Sequence, residues 1–253
     1  MKKQLYRQCT ILRITFFPCL AVMGMFLYGC IPEIIAPPHD IYIGSGLYLE
    51  RSMYDSDRHA EIMDAAMNGG ISWSREEFHW DMIAPERGKY DESVLFLYDR
   101  TVEGLSNRGI NILGLLAYTT PWSSGETAPD TPEERKDYAA FAAAMAFRYR
   151  GQVDHWEIWN EPNIERFWKP EPDPEAYAAL YVEAAQAIHE VNPEATIFCC
   201  STSGTDYMYI RRVIETAGAD MIEGVSFHPY SGDTPWDRSE ERRVGKECIA
   251  VCR

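Results

Sequence analysis

Short apolar segments alternate with segments of helical spacing along most of this chain, and this alternation limits its possible folds more than any other feature. The apolar segments predict β-strands at 41–49, 71–75, 110–117, 153–159, 195–200 and 221–227. The segments between them predict helices at 57–68, 93–108, 131–150, 173–191 and 206–217. Because a helix separates each pair of consecutive strands, the strands are expected to be parallel and joined by right-handed crossovers. The fold class is therefore α/β.

Two parallel α/β architectures fit this order of elements, an open doubly wound sheet and a (β/α)8 TIM barrel. The open sheet usually carries a glycine-rich turn after an early strand, but Gly44-Ser45-Gly46 lacks a third glycine and precedes no clear helix start. Polar and aromatic residues instead cluster where the predicted strands end, at 75–80, 118–122, 160–161 and 228–230. Barrel active sites lie at that face. We therefore expect a TIM barrel of which about the first six βα units are present.

Composition excludes several functional classes. The 253 residues include 24 Lys and Arg against 39 Asp and Glu, a net charge of −15, which leaves no basic surface for nucleic acid. Three of the seven cysteines precede residue 31 and none forms a CxxC pair, so neither a disulfide framework nor a zinc site is expected. We predict no cofactor and no metal.

The amino terminus has the pattern of an export signal. Four basic residues and no acidic residue occupy the first 29 positions, and residues 14–27 form an apolar run that is short for a membrane span. The run ends in Leu27-Tyr28-Gly29-Cys30, which resembles the lipobox of bacterial lipoproteins, although Tyr28 is bulky for that pattern. The resemblance implies a signal peptide at 1–29 and lipidation of Cys30.

The segment 30–40 contains three prolines and is expected to be a stiff tether. The predicted location is therefore outside the cytoplasm, with a lipid anchor in a bacterial membrane that faces the periplasm or the cell surface. A plain cleaved signal or an uncleaved anchor are the alternatives for residues 1–29, and both also give export.

The residues most indicative of chemistry follow the fourth predicted strand. Asn160 and Glu161 stand side by side next to Trp156 and Trp159, and partial burial against aromatic rings would raise the pKa of Glu161 towards that of a proton donor. The run Trp159-Asn160-Glu161-Pro162 resembles the signature of the clan A retaining glycoside hydrolases, with leanings to the family 39 xylosidase-like and family 5 cellulase-like groups. The resemblance implies that Glu161 is the general acid/base and that Asn160 contacts the 2-hydroxyl of the sugar.

Other segments carry the same resemblance. The region 70–90 is similar to the second-strand region of these enzymes, where an Arg orients the nucleophile, and Arg75 would take that role. A surface Arg75 paired with Glu76 or Glu77 is the alternative. His228 and Tyr230 would lie beside the sugar, although His228 is also compatible with a structural hydrogen bond.

Glu157 and the tryptophans can be explained by structural roles as well as by roles in the site. Glu157 is expected to point into the barrel as a paired structural charge. Trp122 is our preferred sugar-stacking residue, although core packing explains each tryptophan equally well. The other candidates are Trp73, Trp80, Trp159 and Trp168.

The resemblance implies a two-carboxylate mechanism whose nucleophile is a Glu at the end of a seventh strand, about 5 Å from the acid/base. No seventh strand is predicted here, since only 23 residues follow Tyr230. From residue 238 the chain becomes mostly basic and resembles a spurious translated end, with a genuine short tail as the alternative. The predicted domains are therefore a partial catalytic barrel at 41–237 and a non-native tail at 238–253.

We therefore predict a glycosidase that hydrolyses O-glycosidic bonds of oligo- or polysaccharides by a retaining mechanism, present here as an inactive N-terminal fragment. The expected partner is the carbohydrate substrate, with no nucleic acid and with membrane contact only through the lipid anchor. A non-catalytic surface lipoprotein that binds glycan or protein through a degenerate barrel is the alternative. A metal-dependent barrel hydrolase ranks lower, because only His228 stands convincingly at a strand end.

Overall fold

The computed structural model describes residues 43–229, which contain six parallel strands interleaved with helices. Each strand is hydrogen-bonded to the next one in the chain. A doubly wound sheet reverses its strand order at a switch point, whereas a barrel adds strands in chain order. The strand order therefore confirms the partial (β/α)8 barrel. The strands are β1 Gly44–Ser45, β2 Trp73–His79, β3 Asn111–Ala117, β4 His155–Ile158, β5 Thr196–Ser203 and β6 Gly224–His228.

The helices begin where the sequence supplies a capping side chain. Thr131 and Glu134 form a reciprocal capping box at the start of the fourth helix, and an Asp side chain accepts backbone N–H bonds at the start of four others. The helices are α1 Ser56–Asn68, α2 Trp80–Ile83, α3 Glu92–Ser106, α4 Pro132–Arg148, α5 Pro174–Val191 and α6 Tyr207–Ala217, with 3-10 turns at Leu49–Arg51 and Ala219–Met221. None of the helices within residues 43–229 combines the length and apolar character of a membrane span.

The second strand differs from its prediction. It was expected to end at Arg75, but it continues to His79 and pairs with β3 from Trp73 opposite Asn111 to His79 opposite Ala117. Two adjacent glutamates interrupt the apolar pattern there, yet both are accommodated because each has hydrogen-bond partners. Arg75 consequently lies in the middle of β2, and the strand end belongs to Glu77 and His79.

The first strand also differs, because from residue 43 onward, where the structure describes the chain, only Gly44 and Ser45 pair with β2. The apolar residues that follow pass into the 3-10 turn at Leu49–Arg51, where Leu49 is fully buried. Apolar character in 41–49 therefore reflects burial of a turn as well as of a strand.

Tyrosines on the helices fasten the carboxyl ends of the central strands. The hydroxyl of Tyr138 donates to the Leu116 carbonyl at 2.7 Å, and that of Tyr177 donates to the Ile158 carbonyl at 2.8 Å. Both tyrosines are fully buried, so these bonds are shielded from water. The ends of β3 and β4 are thereby fixed to α4 and α5 where polar side chains converge.

Candidate active site

The carboxyl ends of β4, β5 and β6 bring three polar residues together with Arg75 of β2. Glu161 follows β4, and its Oε1 lies 2.7 Å from Nδ1 of His228 at the end of β6. Its side chain is only 9% exposed. The Glu161 amide donates to the carbonyl of Ser201 on β5 at 3.0 Å, which fixes the backbone of the loop. The structure therefore places Glu161 and His228 in direct contact.

The backbone around Glu161 is held in an uncommon conformation. Trp159 and Glu161 have φ angles of 67° and 46°, in the left-handed region that non-glycine residues rarely adopt. The Trp159 indole donates to the Phe167 carbonyl at 2.9 Å, and this bond adds to the Glu161 amide bond in stabilising the turn. A strained backbone persists where several neighbouring contacts hold it in place, and such positions are typical of functional sites.

Ser201 reaches the same cluster because β5 contains a bulge. Cys200 lies opposite Ser226, and Thr202 lies opposite the next residue of β6, so Ser201 is the extra residue. Its Oγ lies 3.2 Å from Nη2 of Arg75 and 3.3 Å from Nε2 of His228. Ser201 was not predicted from the sequence, since 200–203 gives no sign of a bulge.

Arg75 is buried and connects β2 to β4. Its Nε donates to Oε2 of Glu157 at 2.5 Å, and its Nη2 donates to Oδ1 of Asn160 at 2.9 Å. Burial opposes the charge of Arg75, but the Glu157 carboxylate outweighs it, so the pKa of Arg75 is raised above its ordinary value. The expectation of a paired structural charge at Glu157 is confirmed, and the alternative of a surface Arg75 is wrong.

A second set of polar side chains lies at the carboxyl end of β2. Oε2 of Glu77 lies 3.1 Å from Nε2 of His79, and the Tyr118 hydroxyl donates to Oε1 of Glu77 at 3.4 Å. Burial works to raise the pKa of Glu77 and to lower that of His79. The mutual hydrogen bond and charge outweigh burial, so the pKa of Glu77 is lowered and that of His79 is raised. The two side chains form an ion pair, whose signal in the sequence is their i, i+2 spacing on one face of β2.

The side chains of Glu50, Glu77 and His79 offer ligand atoms within 4.8 Å of one another, a spacing that could hold a metal ion. In the structure Glu77 pairs with His79, and Oε1 of Glu50 lies 3.2 Å from Nε of Arg51, whereas Oε2 of Glu50 is buried without a hydrogen-bond partner among residues 43–229. Burial raises the pKa of Glu50. The three residues form an acidic rim beside the candidate active site.

Glu76 points to the opposite face of β2 and is 3% exposed. Its Oε2 accepts the backbone N–H of Leu49 at 2.9 Å, and its Oε1 is bonded to the hydroxyl of Ser74. Burial raises the pKa of Glu76 to about 8, so the carboxyl group carries a proton at neutral pH. Glu76 therefore anchors the turn that carries Glu50.

The five candidate tryptophans occupy three kinds of position in the fold. Trp80, Trp159 and Trp168 are at most 2% exposed, so the alternative of core packing holds for these three. Trp73 begins β2 and packs against His155 at the beginning of β4, at the amino ends of the strands. Trp122 follows β3 and is half-buried, with its indole N–H donating to the Ala84 carbonyl at 2.6 Å. It is the candidate that this geometry retains.

Several predicted features lie outside the described residues. Tyr230 and Cys30 belong to this group, as do the signal at 1–29, the tether at 30–40 and the tail at 238–253. Within residues 43–229, the predicted cluster of Arg75, Asn160, Glu161 and His228 is assembled.

The fold and this cluster define a (β/α)8-type barrel with acid, amide and imidazole groups at the carboxyl ends of its strands, where barrel active sites lie. The model of the family Cellulase (glycosyl hydrolase family 5) matches residues 46–247, which is most of the chain. The chain therefore belongs to this family.

Several glycoside hydrolases are similar to this chain in sequence or in fold. A β-xylosidase from Geobacillus stearothermophilus is 27% identical over 133 residues, which are 47% of this chain and 25% of that protein. A family 39 glycoside hydrolase from Bacteroides cellulosilyticus WH2 has a TM-score of 0.61 at 22% identity, over 76% of this chain and 38% of its own. A family 39 β-xylosidase from Caulobacter crescentus has a TM-score of 0.60, also at 22% identity, over 81% of this chain and 49% of its own. The chain thus spans less than half the length of these relatives.

Proposed function

We propose that this chain is the front part of a retaining glycosidase in which Glu161 is the general acid/base. The observation that carries the proposal is the contact between Oε1 of Glu161 and Nδ1 of His228, 2.7 Å apart, at the carboxyl ends of strands in a member of a glycosyl hydrolase family. A carboxyl group that is nearly buried and fixed through one oxygen can present its other oxygen to a leaving group in one orientation.

The proposed reaction begins with protonation of the glycosidic oxygen by Glu161 while a second carboxylate attacks the anomeric carbon. The glycosidic bond breaks, the aglycone leaves with the proton, and a glycosyl-enzyme forms. Glu161, now a carboxylate, then takes a proton from water, which attacks the anomeric carbon from the face that the aglycone left. The bond to the second carboxylate breaks in this step and releases the sugar. We assign the second carboxylate to a Glu of a seventh strand in the whole protein.

The neighbouring residues support this chemistry by position. Arg75 holds Asn160 through Oδ1, which orients the amide that we assign to the 2-hydroxyl of the sugar. We also assign Arg75 to orienting the nucleophile, and His228, Tyr230 and Trp122 to the walls around the sugar. Relatives described as a β-xylosidase and an exo-β-1,4-mannosidase suggest that β-linked xylosides and mannosides be tested first.

The test uses the full-length product of the source gene, assayed with aryl β-xylosides and β-mannosides. Glu161→Gln should lower the rate by about 10²- to 10⁴-fold, the usual contribution of a positioned proton donor. Glu165→Gln removes an exposed carboxylate four residues further on and should leave the rate unchanged. A wild-type protein that hydrolyses no glycoside, or a Glu161→Gln variant of full activity, would contradict the proposal.

We further propose that the protein is exported and anchored through Cys30. The support is the basic, apolar and Leu27-Tyr28-Gly29-Cys30 pattern of the first 30 residues. Fractionation of expressing bacterial cells tests this, since Cys30→Ser should move the protein out of the membrane fraction. An unchanged membrane fraction would contradict lipidation at Cys30.

A further inference from the structure

The geometry allows the contact between Ser201 and His228 in either direction, and the neighbouring arginine favours one of them, because it can only donate hydrogen bonds. Nη2 of Arg75 lies 3.2 Å from Oγ of Ser201, so the serine oxygen accepts there. The hydroxyl hydrogen of Ser201 is then available to Nε2 of His228, 3.3 Å away. In a neutral imidazole, a nitrogen that accepts leaves the other nitrogen to carry the proton.

The order of donor and acceptor set at Ser201 also determines the hydrogen bond between His228 and the carboxyl group of Glu161. With Nε2 as acceptor, Nδ1 of His228 bears the hydrogen and donates it to Oε1 of Glu161 at 2.7 Å. The opposite tautomer would turn a lone pair of Nδ1 towards Oε1, and the acidic proton of Glu161 would be drawn to the ring.

Resting on the proposed function, we propose that Ser201 is a positioning residue that fixes the tautomer of His228 and thereby keeps the acidic proton of Glu161 directed at the leaving group. Three contacts in series connect these groups, from Arg75 to Ser201, from Ser201 to His228 and from His228 to Glu161. Ser201 touches neither the substrate nor the reacting atoms in this proposal, and it acts only through His228.

The local backbone shows why Ser201 occupies this position. Cys200 and Ser201 have φ angles of 78° and 42°, and the bulge that they form directs Oγ of Ser201 to the cluster. The next hydroxyl along β5 does not replace it, because Oγ1 of Thr202 donates to the Gly204 carbonyl at 2.9 Å. Arg75 is itself held by Glu157, so the first donor in the series has a fixed orientation.

The experiment compares Ser201→Ala with Ser226→Ala. Ser226 is a matched control, since it is a buried serine on β6 whose hydroxyl bonds to the Cys199 carbonyl. Circular dichroism and thermal unfolding confirm that the variants fold.

Ring-¹⁵N NMR of histidine-labelled protein then reports which nitrogen of His228 carries hydrogen. Wild type and Ser226→Ala should carry it on Nδ1, whereas Ser201→Ala should show a mixture or Nε2–H. Wild-type protein with hydrogen on Nε2, or on both nitrogens, would overturn the proposal, as would an unchanged spectrum in Ser201→Ala.

The kinetic measurement uses the full-length product and an aryl glycoside with a poor leaving group. Ser201→Ala should lower kcat on the order of tenfold, a part of the 10²- to 10⁴-fold that general acid catalysis supplies, with little change in KM. An active wild type whose kcat is unaffected by Ser201→Ala contradicts this inference alone, whereas an inactive wild type contradicts the proposed function and leaves the NMR result to decide the tautomer.

Discussion

Replacing Glu76 by Gln should make the stability of the protein less dependent on pH. The pKa of Glu76 is raised from 4.5 to about 8 by burial, so the folded state binds a proton between these values that the unfolded state releases. Stability from this group is complete below pH 4.5 and is lost as the pH rises through 8. The Glu76→Gln variant keeps an oxygen that accepts from Leu49, and its NH2 group would face the Ser74 hydroxyl, whose hydrogen also has the Ser45 carbonyl as an acceptor.

The size of the effect follows from the pKa. At pH 6, roughly two units below the pKa of about 8, the bound proton contributes about 3 kcal/mol to the free energy of unfolding, and by pH 9 this contribution is close to zero. The Gln variant mimics the protonated carboxyl group in both states, so it should match the wild type within about 1 kcal/mol below pH 4.5, and its advantage should grow by about 3 kcal/mol between pH 6 and pH 9.

Urea unfolding followed by tryptophan fluorescence at pH 6, 7, 8 and 9 measures this difference. Glu103→Gln on α3 is the control, because it removes an exposed carboxyl group and should follow the wild-type profile at every pH. A stability difference between Glu76→Gln and wild type that is the same at pH 6 and pH 9 would refute the idea that burial holds the proton on Glu76.

Three further substitutions or conditions test other parts of the structure by urea or thermal unfolding. Arg75→Met leaves the buried carboxylate of Glu157 unpaired and should lower the free energy of unfolding by about 3–5 kcal/mol. Adding Glu157→Leu should recover much of this loss, and a double variant in which the two single losses simply add would contradict the idea. Burial lowers the pKa of His59, so the stability that its neutral form contributes is lost as the pH falls below about 6.5. A His59→Gln variant whose free energy of unfolding falls equally at acidic pH would exclude His59 as the source of this loss. Gly114→Ala places a Cβ 2.5 Å from the ring of Trp156 and should cost about 1–3 kcal/mol, whereas an unchanged melting temperature would show that the ring moves freely.

The alternation of strand and helix was predictable because each apolar run is short and each helix has its own start signal. Thr131, followed by Pro132 and Glu134, is an example, since these residues form the observed cap. The extent of β2 was not predictable from periodicity. Its charged residues Glu76 and Glu77 are stabilised by contacts with Leu49 and His79, and one of these contacts depends on the distant first turn.

The candidate site likewise contains residues that the sequence identifies and one that it does not. Asn160 and Glu161 were identified because a polar pair directly after an apolar strand must lie at the strand end. The burial of Glu157 against Arg75 followed from its position on the same strand face as Glu161, although its partner was not named. Ser201 could not be identified, because its place in the cluster depends on two left-handed backbone angles that the residue types 200–201 do not indicate.

The role of Glu161 as general acid/base can be tested through the dependence of kcat/KM on the leaving group. Aryl glycosides of decreasing leaving-group acidity are hydrolysed by the full-length wild type and by Glu161→Ala. A proton donor matters little for a good leaving group and greatly for a poor one. If Glu161 is the acid, the two proteins are similar for the most acidic phenol and diverge steadily towards the least acidic. If Glu161→Ala instead lowers kcat/KM by the same factor for every leaving group, the assignment of Glu161 as the acid is contradicted.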